Sequence, residues 1–250
     1  MVKSMINLNE KINVEKFLAI LAFLKKKSHG YLSKKSKVFT TDEIENYLNV
    51  FPDNQHLDKK VIMIFGIFGA LRSDELVKVK VEHVKKQGEI YHVIVPVTKN
   101  MMPRSLTITG EFCKYVENYS KLRPKLATED RFFLNFQNGK CTVQAIGKNK
   151  FASTLQKIVE FLQLPDPKEY TGHSFRRSSA TILVDAGADL TVLKRHGGWK
   201  SSTVAEGYIE ESLGNKRKIS SLYCNAINLP STSDHSENSA SPNSCLQNLH

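Results

Sequence analysis

Apolar residues recur along much of this chain with spacings that favour helices. Residues 9–27 form one such segment, and their apolar run at 17–24 predicts the buried face of a helix. Thr40 and Glu43 have the spacing of a capping box, so a second helix is expected to begin there. Residues 60–71 are apolar almost all round, which is typical of a helix inside a domain.

Two β-rich runs interrupt this helical pattern. Residues 89–97 and 104–108 are separated by the breaker Asn-Met-Met-Pro at 100–103, and they predict neighbouring strands of a small antiparallel sheet. Helical patterns resume at about 110–122 and 146–162, and glycines break the remainder, to about residue 213, into further helices. The predicted fold class is therefore mainly α with a small antiparallel β-sheet.

The composition divides the chain into three segments. Residues 1–37 hold a short helix followed by a basic linker, and residues 38–228 form the main domain. Residues 229–250 are rich in Ser and Asn and almost free of apolar side chains, so they cannot offset the entropy of ordering and are expected to be disordered.

Charge and cysteine usage narrow the possible partners. The 36 Lys and Arg against 25 Asp and Glu give a net charge of +11, which favours a polyanion and predicts salt-sensitive binding. The four cysteines lie far apart without metal-ligand spacing, which indicates reduced intracellular thiols and no metal site. The apolar run at 17–24 is shorter than the roughly 20 residues a membrane helix needs, and lysines follow it where a signal-peptide cleavage site needs small residues. No membrane partner is predicted.

The candidate chemistry lies in two separated segments. Arg72 follows Gly-Ala-Leu, and far downstream His173 and Arg176 form a His-x-x-Arg motif. Trp199 comes next in Gly-Trp-Lys-Ser, and Tyr208 follows nine residues later. Each residue alone would be ordinary packing or a surface ion pair. Together they suit one task, which is to hold a phosphodiester between guanidinium groups while a tyrosine oxygen attacks it.

In this order and spacing, these residues resemble the catalytic domain of the tyrosine recombinase (phage integrase) family over about residues 40–211. The resemblance implies that Arg72 and Arg176 clamp the scissile phosphate and that Tyr208 is the nucleophile. A phenol has a pKa of about 10, so Tyr208 needs a proton acceptor or positive charge nearby. The implied reaction gives a 3′-phosphotyrosine and a free 5′ hydroxyl, and rejoining reverses it without ATP, metal ion or cofactor.

The resemblance also assigns the proton-transfer groups. Lys99, near the turn between the predicted strands, is implied as the general acid for the departing 5′ oxygen, although Lys85 and Lys86 lie in a nearby predicted turn. His173 is implied to transfer a proton or donate to the phosphate. Trp199 stands where most members have His, and its indole N–H can only donate.

Two further residues are expected to support this set. Glu75 matches the acidic position after the first arginine of the motif and is expected to orient Arg72. His196 lies three residues before Trp199 and is expected to act, at most, through other residues of the site.

The resemblance further implies double-stranded DNA as substrate and a homo-oligomer, a tetramer on DNA, joined through a C-terminal helix at about 210–227. Packing of that helix on its own domain is the alternative. Residues 1–37 are interpreted as the remnant of a core-binding domain. Residues 194–203 resemble recombinases of eukaryotic Crypton elements, which predicts a nuclear location. Two other functions remain open: a DNA-binding protein that has lost catalysis, and a type IB topoisomerase.

Overall fold

The computed structural model describes residues 17–30, 35–95 and 104–227. Helices dominate these ranges and two small antiparallel sheets accompany them, which confirms the predicted fold class. None of the described helices is long and apolar enough to cross a membrane. The helices are α1 (Leu18–Ser28), α2 (Thr41–Val50), α3 (Asp53–Phe68), α4 (Ser73–Val77), α5 (Phe112–Lys121), α6 (Lys148–Phe161), α7 (Ser174–Asp185), α8 (Leu190–Gly197), α9 (Ser202–Glu211) and α10 (Leu213–Ala226). The strands are β1 (Val84–Gln87), β2 (Ile90–Val95), β3 (Arg104–Ile108), β4 (Leu134–Gln137) and β5 (Lys140–Ala145).

The predicted helix start at Thr40 and the predicted buried helix are both confirmed, although the buried helix begins at Asp53 and ends at Phe68. The Thr40 hydroxyl accepts from the Glu43 N–H at 3.2 Å, and the Glu43 carboxylate accepts from the Thr40 N–H at 2.9 Å, which closes the capping box before α2. Helix α3 is buried around most of its circumference, as its apolar sequence predicts. It therefore forms the centre of the domain.

The sheets contain more strands than predicted. Strands β2 and β3 pair antiparallel as expected, and Val95 lies opposite Arg104 at the end next to the connecting segment. Lys85 and Lys86 lie in β1, which pairs with β2, so their expected placement in a turn is wrong. A second sheet of β4 and β5 turns at Asn138-Gly139, where both residues have positive φ, 50° and 77°.

Helix α1 departs from its prediction. It forms within the expected segment, but its apolar side chains do not make a buried face in the described part of the chain. Hydrophobicity predicted a helix here and could not indicate what packs against it. The exposed residues are Phe17, Leu18, Ile20, Phe23 and Leu24.

Two apolar cores support the segments that carry the candidate site. The larger one surrounds α3, and α7 approaches α3 so closely that a Cβ on Gly66 would lie 2.6 Å from the Phe175 ring. The smaller one joins α7, α8 and α9 around Trp199. The predicted C-terminal helix is interrupted at Ser212, whose hydroxyl accepts from the Asn215 N–H at 3.0 Å and caps α10.

Candidate active site

Arg72 stands at the start of α4, held by a buried carboxylate. Glu75 accepts from the Arg72 backbone N–H at 2.9 Å and from its guanidinium at 3.4 Å, so Glu75 holds Arg72 as predicted. The Glu75 side chain is 6% exposed, whereas the Arg72 side chain is 32% exposed. The guanidinium of Arg72 therefore keeps an open side toward solvent.

Arg176, in the first turn of α7, is the buried arginine of the pair. Its guanidinium donates to the Ala70 carbonyl at 2.8 Å and to the Gly197 carbonyl, linking the loop before Arg72 to the end of α8. Ala70 adopts a left-handed φ of 46°, a conformation that costs an L residue about 1 kcal/mol or more. Burial, together with the charges of Arg72 and Arg104, lowers the pKa of Arg176 to about 10, so it stays protonated at neutral pH.

His173 lies one helical turn before Arg176, so the two side chains share one face at the start of α7. The imidazole is exposed at the surface. Partial desolvation of the ring and the positive charges of Arg72 and Arg176 lower the pKa of His173 below its usual value. At neutral pH the ring is therefore uncharged and can accept a proton.

Trp199 and Tyr208 complete a stack of three planar groups. Gly198, with φ 62°, ends α8 and turns the chain so that the indole of Trp199 lies beneath Arg176, with the Arg176 Cζ 4.6 Å from the ring centroid. The Tyr208 ring on α9 lies against the same indole, 5.1 Å between centroids and tilted by 34°. The Cζ of Arg177 is 5.7 Å from the Tyr208 ring. The phenol is half-buried beside two guanidinium groups.

Arg104 is a residue of this cluster that was not predicted. Its side chain is 7% exposed and bonds to Glu75, Gly69 and His196. A signal was present, because Arg104 lies in strand phase with buried Leu106 and Ile108 and so occupies the core-facing side of β3. A charged residue in that phase indicates a buried ion pair.

His196, which is predicted to act through other residues of the site, lies in the last turn of α8. The His196 ring exchanges a 2.7 Å hydrogen bond with the Ser179 hydroxyl, and burial plus the charges of Arg104 and Arg176 lower its pKa to about 4. The uncharged His196 ring therefore binds a neighbouring side chain inside the protein and does not face the solvent side of the site.

Lys99 lies outside the described residues. In the ranges that are described, no group of three or more His, Cys, Asp or Glu is placed to hold a metal ion.

The structure thus brings Arg72, His173, Arg176, Trp199 and Tyr208 together from four segments of the chain. Comparison with known families agrees with this geometry, since the model of the Phage integrase family matches residues 37–213. The chain belongs to the phage integrase family. Among curated members, tyrosine recombinase XerC of Rickettsia peacockii (strain Rustic) is 27% identical over 183 residues, covering 73% of this chain and 56% of the relative. The chain thus spans little more than half the length of that relative.

Solved structures share the integrase fold. XerA recombinase matches with a TM-score of 0.60 at 17% identity, covering 89% of this chain and 80% of that one. XerH site-specific recombinase, in a post-cleavage complex with palindromic difH substrate, also gives 0.60 at 17% identity, over 76% of this chain and 54% of XerH. The Tn1549 transposon integrase in complex with circular intermediate DNA gives 0.53 at 16% identity, over 75% of this chain and 66% of the integrase.

Proposed function

We propose that this chain carries the catalytic part of a site-specific DNA recombinase or integrase that cuts and rejoins strands through a 3′-phosphotyrosine. The observation that carries the proposal is the stack of Arg176, Trp199 and Tyr208, with Arg72 and His173 beside it. The Tyr208 phenol lies near the guanidinium groups of Arg176 and Arg177, which supply the positive charge that a tyrosine nucleophile requires. Arg72 and Arg176 supply the pair of guanidinium groups that a phosphate site requires.

The proposed reaction balances without a cofactor. The Tyr208 oxygen bonds to phosphorus and its proton passes to the neutral His173 ring, while Arg72 and Arg176 bind the non-bridging oxygens. The bond from phosphorus to the 5′ oxygen breaks, and Lys99 donates the proton that this oxygen takes. The Trp199 indole N–H donates to a phosphate oxygen. Attack by a 5′ hydroxyl on the phosphotyrosine then reseals a strand, and the phosphoester energy is retained throughout.

The proposed partners are double-stranded DNA and further copies of the chain, as a tetramer on DNA. Helix α10 supports an interaction between copies because its apolar side chains are largely exposed, among them Leu222 at 61%. Sedimentation with DNA is expected to show loss of the higher assembly for Leu222→Asp. The exposed polar neighbour Ser220 gives the control Ser220→Asp, and equal assembly of both variants contradicts the role of α10.

Segment boundaries and location stay predictions. Residues 38–228 are proposed as the catalytic domain, and residues 1–37 as a separate N-terminal segment. The predicted tail at 229–250 lies outside the described residues. Action on DNA places the protein inside the cell. The Crypton-like origin and nuclear location rest on residues 194–203 alone, whereas the XerC relative named above is from Rickettsia, a bacterium.

Covalent trapping on a library of nicked duplexes tests this proposal. Cleavage near the nick releases a short fragment that bears the free 5′ hydroxyl, and its loss prevents rejoining. The wild-type chain is expected to form a detergent-resistant DNA adduct, and Tyr208→Phe is expected to form none. The control Tyr91→Phe alters a tyrosine of β2 outside the candidate site and should form a normal amount. An adduct that persists in Tyr208→Phe refutes the assignment. DNA retention without any adduct selects the non-catalytic DNA-binding protein, and relaxation of supercoiled plasmid without sequence preference selects the topoisomerase.

A further inference from the structure

We infer that Arg104 is a positioning residue which keeps Arg72 available for phosphate by occupying the carboxylate that would otherwise capture it. The inference rests on the proposed function and assigns Arg104 no contact with DNA. Its side chain is 7% exposed, compared with 32% for Arg72, so the two arginines occupy different environments around the same acid.

The hydrogen bonds of Arg104 are directed into the protein. Its Nη2 donates to Glu75 Oε2 at 2.5 Å, and its Nη1 donates to the carbonyls of Gly69 at 2.5 Å and His196 at 3.2 Å. Its stem crosses the turn at Gly198, where a Cβ would lie 3.3 Å from the Arg104 Cδ. Both terminal nitrogens are therefore bound within the protein.

Glu75 is shared unequally between the two arginines. A carboxylate commonly binds one guanidinium through two parallel hydrogen bonds. Here Oε2 is taken by Arg104 and by the Arg72 backbone N–H, and the Arg72 guanidinium retains a single 3.4 Å contact to Oε1. Without Arg104, the buried Glu75 would pair with Arg72 through both oxygens. That pairing would neutralise Arg72 and draw it away from a phosphate.

The position of Arg104 also ties this carboxylate to other parts of the site. Arg104 is the first residue of β3 and pairs with Val95, the last residue of β2. Its bond to the His196 carbonyl holds the end of α8, directly before the turn to Trp199. The buried guanidinium of Arg104 thus holds both the Glu75 carboxylate that binds Arg72 and the end of α8 that precedes Trp199.

The test compares Arg104→Met, Arg104→Lys and the double variant Arg104→Met with Glu75→Gln. The rate of adduct formation at saturating DNA is expected to fall by about 100-fold in Arg104→Met, the loss expected when a reacting group is displaced by about 1 Å. DNA affinity should change by only a few-fold, by about the contribution of one misplaced charge. Arg104→Lys keeps a charge against Glu75 and should retain most of the rate.

The double variant separates positioning from general structural damage. Glu75→Gln removes the charge that captures Arg72 while its amide oxygen can still accept from the Arg72 N–H, so adding it to Arg104→Met should restore part of the rate. A further fall overturns the inference, as does a loss in Arg104→Lys as large as in Arg104→Met. Arg123→Met is the control, because Arg123 also bonds backbone carbonyls, those of Glu129 and Arg131, but outside this cluster. Its adduct rate should be unchanged.

A crystal structure of the DNA-free variant gives a readout that needs no cleavage. In Arg104→Met, Arg72 is expected to move toward Glu75 until both carboxylate oxygens lie within about 3 Å of its guanidinium. If that variant does not fold, Arg104→Lys takes its place and should show a smaller shift in the same direction. An unmoved Arg72 overturns the inference. Absence of an adduct from the wild-type chain, by contrast, refutes only the proposed function.

Discussion

Replacement of Trp199 separates the packing role of the indole from its chemical role. Trp199 is the single tryptophan of the chain, is 9% exposed and belongs to the smaller core. The indole packs against apolar side chains of α7, α8 and α9. It also contacts the Arg176 guanidinium and the Tyr208 ring. Trp199→Ala removes all of these contacts, whereas Trp199→Phe keeps an aromatic ring beside both partners.

The expected magnitudes follow from these contacts. Truncation of a buried Trp to Ala costs about 3–5 kcal/mol of unfolding free energy, including the cavity it leaves. The aromatic pair with Tyr208 contributes about 0.5–1.5 kcal/mol, and the guanidinium of Arg176 over the ring about 0.5–2 kcal/mol. Because Trp199→Phe retains most of both, its expected loss is about 1–2 kcal/mol from the smaller ring alone.

Urea unfolding followed by far-ultraviolet circular dichroism measures these losses without relying on tryptophan fluorescence. Adduct formation measures the second role: Trp199→Phe lacks the indole N–H and should react about 100-fold more slowly, and Trp199→His should recover part of the rate through its own donor. Equal destabilisation by Phe and Ala would refute the contribution of the stack. A wild-type rate in Trp199→Phe would refute the proposed donation to phosphate.

Two further predictions concern stability. The pKa of His196 is lowered to about 4 in the folded chain, against about 6.5 when unfolded, so the unfolded state binds the proton more readily and stability falls as pH drops from about 6.5 to about 4. Between pH 7 and pH 5 the wild-type chain should lose about 2 kcal/mol more than His196→Gln in urea unfolding, and parallel pH profiles would contradict this. Gly66→Ala should cost about 1–3 kcal/mol because its Cβ would lie 2.6 Å from the Phe175 ring, whereas Gly207→Ala, with nothing within 4 Å, should be neutral or stabilising by about 0.5–1 kcal/mol. Thermal unfolding that ranks these two variants equally would be inconsistent with the close approach of α3 and α7.

The parts of the fold that sequence predicts are those set by local chemistry. The capping box at Thr40 and the apolar circumference of α3 each depend on neighbouring residues, and both are confirmed. Strand β1 lacked a signal because it pairs through its backbone while most of its side chains stay exposed. The second hairpin was not predicted, although Asn138-Gly139 is a strong turn signal.

For the candidate site, sequence predicts which residues take part but not how they are arranged. The motif predicted Arg72, His173, Arg176, Trp199 and Tyr208, and the structure places them together. Their arrangement depends on tertiary contacts that no local pattern contains, such as the bonds of Arg176 to the carbonyls of Ala70, before α4, and of Gly197, at the end of α8. The role of Arg104 could not be predicted from sequence, because it arises from the Glu75 carboxylate that Arg104 shares with Arg72 of another segment.

The most direct measurement is the identity of the residue that bears the DNA. Adducts trapped on nicked duplexes, digested with nuclease and trypsin, can be read by mass spectrometry, and the tryptic peptide 201–216 contains Tyr208 as its single tyrosine beside several hydroxyl residues. We expect a nucleotide joined through phosphate to Tyr208. Attachment to a serine or threonine of that peptide, or to any other peptide, would contradict it.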